Sequence, residues 1–228
     1  MAKRSFKKKT SNALVKRVKA LEIKQKADDK NTERKVQYYR SPHPVDAVWG
    51  VNYGFALRTS QGVAGEGNTT AGDVRIGNSI NLRSMKFKFH LALSKNSDGV
   101  PIEVNTATIA RVILADNLTD DTGLDAGDLL QDSNYPLVSP YKNAIAGGKR
   151  YRILMDKTIP ISGRFPDKMW DFSLPLPKSG RVVHYNGAVA TNPSDLNLSL
   201  IYMCDATGPT SGNKPTLYMY NIARFEDC

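Results

Sequence analysis

Between residues 79 and 93 the chain alternates with a period of two. Met85, Phe87, Phe89, Leu91 and Leu93 fall on one parity, and Lys86, Lys88, His90 and Ala92 on the other. Such alternation predicts a strand with one buried face. Ile80 and Leu82 keep the alternation on the opposite parity, so the phase changes at Arg83-Ser84 and predicts a bulge or a crossover between layers there. A short Gly-Pro loop leads to a second strand, ATIARVILAD, ending at Asp116. Further strand candidates lie at 150–161, 181–185, 196–205 and 216–225, each bounded by Gly, Pro or Asn clusters. The run 169–176 reads as an edge strand, because its prolines forbid a central one. With a further segment at 52–58 this makes about eight strands and almost no helix. The fold class expected is all-β: a single eight-stranded jelly roll, that is, a Greek-key sandwich, behind a basic and partly helical N-terminal arm.

The arm is set apart by charge. Residues 1–40 hold fourteen Lys or Arg against four Asp or Glu, whereas residues 41–228 hold eighteen of each, so the whole formal charge of +10 lies in the arm. Two parts follow from this division, an arm over 1–40 and a β body over 41–228. A neutral body with a basic tail is built to hold a polyanion locally, and nucleic acid is the leading one. A membrane surface is disfavoured, since the arm carries few large apolar anchors and no run is long enough to span a bilayer. The start MAKRSFKKK has no apolar stretch behind it and is not read as a secretory signal. Cys204 and Cys228 have no metal-ligand spacing and form no disulfide framework, which fits synthesis in a reducing interior.

Within the arm the candidate phosphate contacts are Lys3, Arg4, Lys7, Lys8, Lys9, Lys16, Arg17, Lys19, Lys24 and Lys26. Leu14, Val18 and Leu21 stand at i, i+4 and i+7, so a helix with a thin apolar seam is expected from about Asn12, capped by Ser11 or Asn12. Its shortness and charge mean that it orders against phosphate or a neighbouring copy rather than alone. KRSFKKK also fits a nuclear localisation signal. Residues 27–50 read as a linker in which Pro42 and Pro44 impose extended or turn geometry. Tyr38, Tyr39 and Trp49 there either stack on bases or pack the arm onto the body. On the strand itself, Arg83, Lys86 and Lys88 are further candidate nucleic-acid contacts, with a plain solvated face as the alternative.

Catalytic signals are weak. His43 sits between prolines, His90 on a polar strand face and His184 beside YNG, and each suits a structural or surface role better than catalysis. AGGKR at 146–150 lacks the first Gly and the Ser/Thr of a phosphate loop, and neither HExxH nor CxxC occurs. The aspartate-rich run 116–132 lacks the alternation of a calcium loop and reads instead as a loop with a short helix through Leu124, Leu129 and Leu130. No enzyme activity, no cofactor and no assigned metal ligand are expected, with calcium between subunits left open.

The basic arm with ALVKRVKAL, then VRIGNSINLRSMKFKF, KRYRILMDKTIPISG, VVHYNGA and LNLSLIYMCD resemble, in order and spacing, the single jelly-roll coat proteins of small icosahedral viruses. The likeness is nearest to the coat protein of satellite tobacco necrosis virus and extends to those of small circular single-stranded DNA viruses. The resemblance implies a capsid protein that self-assembles, with sixty copies in the shell, the body as wall and the arm turned inward onto an RNA or DNA genome. It implies a virion location after synthesis in the host cytoplasm, with passage through the nucleus open. The intersubunit calcium sites of that family are not carried over, because no aspartate here matches a ligand. The alternative is a cellular β-sandwich module that binds nucleic acid through a basic tail.

Overall fold

The computed structural model describes residues 15–21, 34–61, 74–93, 107–119, 122–132, 134–135, 137–142, 150–205 and 214–228. The chain divides into two units, Met1–Arg34 and Lys35–Cys228. In the first, residues 15–21 form helix α1.

The second unit is built from two sheets. One, sheet A, has the order β1 (Arg34–Pro44), β11 (Thr216–Asp227), β5 (Ser79–Ala92), β8 (Asp167–Ser173), with β9 (Arg181–His184) pairing the N-terminal part of β5. The other, sheet B, has the order β2 (Gly50–Tyr53), β10 (Asn197–Cys204), β6 (Ala107–Asn117), β7 (Tyr151–Ser162). A two-residue parallel pair, β3 (Ser60–Gln61) with β4 (Val74–Arg75), stands beside them. Along the chain the main strands fall in sheets A, B, A, B, B, A, B and A. The last two, β10 and β11, slot between β2 and β6 and between β1 and β5. This winding is a jelly roll.

The alternation in β5 has the expected consequence. Met85, Phe87, Phe89 and Leu91 are buried between the sheets while Lys86 and Lys88 are exposed. The phase change is a bulge rather than a crossover. Ser84 pairs with Arg224 and Leu82 with Phe225, so Arg83 is the extra residue, and both halves of the strand keep their apolar side inward. Phe87 meets Phe55 edge-on at 6.3 Å and stacks on Phe89 at 6.1 Å. At the open edge the Trp170 Nε1–H of β8 donates to Met155 Sδ of β7 at 3.3 Å, tying one sheet to the other.

Two sequence expectations are corrected. Residues 27–50 are not simply a linker, since 34–44 form β1, and the body starts at Lys35 rather than at 41. Pro42 and Pro44 do not prevent this, because β1 is an edge strand. The 79–92 strand is a central one, flanked by β11 and β8. The segment expected at 52–58 is shorter and earlier, at Gly50–Tyr53.

The outer faces of the sheets differ. Sheet B is roofed by residues 124–132 and 137–141, whose Leu124, Leu129 and Leu130 pack with Ile113, Ala115 and Ile201 in a second apolar cluster, joined by Trp49 and Tyr141. This explains why β6 and β10 are buried on both sides and do not alternate. The roof contains the short helix α2 (Ala126–Leu129), closed by a capping box between Asp125 and Asp128. Sheet A carries polar and aromatic side chains on its outer face.

Candidate nucleic-acid interface

In α1, Lys16, Arg17 and Lys19 are exposed, as are the seam residues Val18 and Leu21, at 49% and 66%. Among the described residues the helix comprises seven, 15–21. Lys3, Arg4, Lys7, Lys8, Lys9, Lys24 and Lys26 lie outside the described residues, as do Leu14 and the expected caps Ser11 and Asn12.

On the body, the three strand candidates share the outward side of β5 but not one environment. The Arg83 guanidinium donates from Nε to Glu226 Oε2 and from Nη1 to the Ser179 carbonyl, both at 2.6 Å. Its charge is therefore largely offset, and its task is to fasten the turn before β9 to β11. Lys86 and Lys88 extend from the middle of the sheet into solvent, about 7 Å apart along the strand. Across the register Lys86 faces Ile222 and Ser173, and Lys88 faces Tyr220 and Asp171.

The neighbours on β1 and β11 extend this surface. Tyr38 is 60% exposed and its ring lies 6.1 Å from that of Tyr220. Tyr218 stacks on His90 at 5.8 Å, and the His90 Nε2 lies 3.7 Å from Asp167 Oδ2. Arg40 and Arg224 are exposed on the same side. The aromatic residues singled out at 38, 39 and 49 thus separate. Tyr39 turns inward onto Phe55 at 5.9 Å, Trp49 joins the roof cluster, and Tyr38 alone points out. Tyr218 and Tyr220 were the residues that sequence reasoning passed over, although the alternation in TLYMYNIARF puts both opposite the buried Leu217 and Met219.

The other ionisable groups are tied into the scaffold. His43 is buried at the β1–β2 corner, with Nε2 3.2 Å from Asn52 Nδ2 and Nδ1 3.4 Å from the Tyr202 hydroxyl, and burial lowers its pKa. His184 is exposed, and its backbone N–H donates to Asp195. Asp116 is fully buried between Arg152, at 2.8 Å, and Arg181, at 4.0 Å, and accepts from the Asn197 N–H. Burial raises its pKa despite the two guanidiniums. Arg75 is also fully buried. Its Nη2 donates to the carbonyls of Gly187 and Ala190 at 2.8 and 2.9 Å, and the guanidinium lies over the Tyr185 ring at 4.2 Å, which pins the 185–191 loop. Burial pushes Tyr185 up to about 12. Among the described residues no three His, Cys, Asp or Glu side chains gather in a group suited to a metal ion.

No family model and no curated protein matches the chain. Among solved structures it is similar to that of mud crab tombus-like virus, determined by cryo-electron microscopy. There the identity is 9%, the match covers 86% of this chain and 83% of the other, and the TM-score is 0.35. It is also similar to the viral particle of infectious bursal disease virus, at 10% identity over 86% of this chain and 40% of the other, with a TM-score of 0.25. The jelly-roll assignment stands on the strand order and does not draw on these likenesses.

Proposed function

We propose that this chain is a structural, non-enzymatic capsid subunit that self-assembles into a small icosahedral shell and packages a single-stranded genome through its basic arm. The observation that carries the reading is the segregation of charge. The body from residue 35 holds twenty Lys or Arg against eighteen Asp or Glu, while residues 1–34 hold twelve against four. Cations concentrated on a tail bind phosphate with little regard to base sequence, as packaging of a whole genome requires. The jelly-roll body has a roofed face and an open face, which suits a wall with two different sides. With sixty copies, a number taken from the satellite-virus resemblance, an excess of about ten charges each would bring on the order of six hundred positive charges to the interior. RNA and DNA satisfy the arm equally, and the product is a virion component.

The test is to purify the full-length protein and a form lacking residues 1–26 and to examine both by electron microscopy and nuclease digestion. Closed particles that protect nucleic acid are expected from the full chain, and empty or nucleic-acid-poor material from the shortened one. A full-length protein that stays monomeric at high concentration would favour the cellular nucleic-acid-binding module instead. Unchanged nucleic-acid content after truncation would remove the arm from the reading.

A further inference from the structure

We infer that the outer face of sheet A is a second, arm-independent binding surface for single-stranded nucleic acid, one that takes bases by stacking as well as phosphates by charge. It rests on the packaging reading only for the identity of its ligand.

The surface has two components that alternation along three adjacent strands brings to one side. Lys86 and Lys88 from β5, Arg224 from β11 and Arg40 from β1 are exposed cations. Among them stand Tyr38, Tyr220 and Tyr218, with Tyr38 and Tyr220 6.1 Å apart at an interplanar angle of 31° and Tyr218 on the next outward position of the same strand as Tyr220. Tyr38 is 60% and Tyr218 39% exposed, which leaves ring surface open to a base. A positive groove with interleaved aromatic rings is the arrangement that holds a single strand without reading its sequence. Duplex would not suit it, because paired and stacked bases offer no free face to a tyrosine.

The acids on this face set its limits. Asp171 is opposite Lys88, Asp167 lies beside His90, and Glu226 is taken up by Arg83. All the unoffset acid therefore lies toward β8, and the favourable track runs over β1, β11 and the middle of β5. Among the described residues, the outer face of sheet B is instead covered by the roof with Leu124, Leu129 and Leu130.

The discriminating property is stacking, which a purely electrostatic arm lacks. Binding of the full-length protein is measured for an oligothymidylate and for an abasic oligomer of equal length, at salt high enough to screen most of the arm's contribution. The base-bearing strand is expected to bind more tightly, and Tyr38→Leu with Tyr220→Leu to remove about tenfold of that preference for each ring lost. Tyr220→Phe keeps the ring and should bind as the parent does. Lys86→Gln with Lys88→Gln should weaken both oligomers and reduce the salt slope by about 1.4. Equal binding of the two oligomers by the parent, or leucine variants that fold and retain the preference, would overturn the inference. Should the leucine variants fail to fold, photocrosslinking of a bromouridine oligomer to the parent decides. Adducts on Tyr38, Tyr218 or Tyr220 support the face, and adducts confined to residues 1–34 refute it. Particle formation is scored separately in the same preparations, so loss of the capsid reading leaves the outcome for this face intact.

Discussion

Replacing Asp156 by Ala should loosen the roof of sheet B, and the cost follows from what the carboxylate holds. Arg111 of β6 has only 7% of its side chain exposed. It donates from Nε to Asp156 Oδ1 at 3.1 Å, from Nη2 to Oδ2 at 2.7 Å and from Nη1 to the Ser139 carbonyl at 3.0 Å. The Tyr141 hydroxyl donates to the same carboxylate at 2.5 Å, and the Arg111 guanidinium lies 5.4 Å from the Tyr141 ring. One carboxylate thus joins β6, β7 and the roof segment. Removing a partner from a buried ion pair costs about 3–5 kcal/mol. Asp156 is 28% exposed, so water can reach the gap and the lower figure applies, about 3 kcal/mol. With a urea slope of about 2 kcal/mol/M, the midpoint for the purified subunit should fall by about 1.5 M with the slope unchanged.

The same network has a pH signature. Desolvation alone would raise the Asp156 carboxyl, but the hydrogen bonds from Arg111 and Tyr141 outweigh it and hold its pKa below the ordinary 3.8. A depressed carboxylate contributes stability above the unfolded-state value and loses it as pH falls through the folded value. The parent should therefore lose stability below about pH 4 more steeply than Asp156→Ala does. Replacing both partners, with Arg111→Met and Asp156→Leu, should recover most of the loss. A midpoint within about 0.3 M of the parent's for Asp156→Ala would show that the network does not hold the roof.

Two further perturbations test other parts of the scaffold. Asp116 has a raised pKa, so the folded state keeps its proton longer than the unfolded chain, and stability declines as pH rises from 3.8 through the folded value. Urea midpoints across that range should show this decline in the parent and not in Asp116→Asn, and parallel profiles would contradict the assignment. Gly180 has φ +85° in the turn before β9, and a Cβ there would press on the Asn81 side chain and the Leu82 carbonyl. Gly180→Ala should destabilise by about 1–2 kcal/mol in thermal melts, and an unchanged melting temperature would show that the turn relaxes freely.

Much of the β body was legible from local pattern. Alternation assigned the faces of β5, the phase break at Arg83-Ser84 marked the position where the structure has its bulge, and prolines after 173 marked β8 as an edge. The short helix expected in the aspartate run is present as Ala126–Leu129, with Leu124, Leu129 and Leu130 buried in and beside it. β1 was hidden by composition. RKVQYYRSPHP carries charges and two prolines, and it is a strand because β11 offers it an edge partner more than 170 residues away in sequence. Tyr38 and Tyr39 could be assigned to opposite faces only once that strand was known.

The sequence alone determines the segregation of charge into the arm and the period-two patterning that commits the body to β structure, since both are local properties of residue order. Only the tertiary structure decides which strands pair, which sheet face is roofed and which stays open. It also decides that Lys35, Arg75 and Asp116 lie buried although each is charged. Burial of a charge depends on partners brought together by chain reversal: Lys35 finds Asp227 at 2.5 Å, Asp116 finds Arg152, and Arg75 finds carbonyls more than 100 residues onward. No window of sequence contains both halves of such a pair, and desolvation makes the isolated half unfavourable.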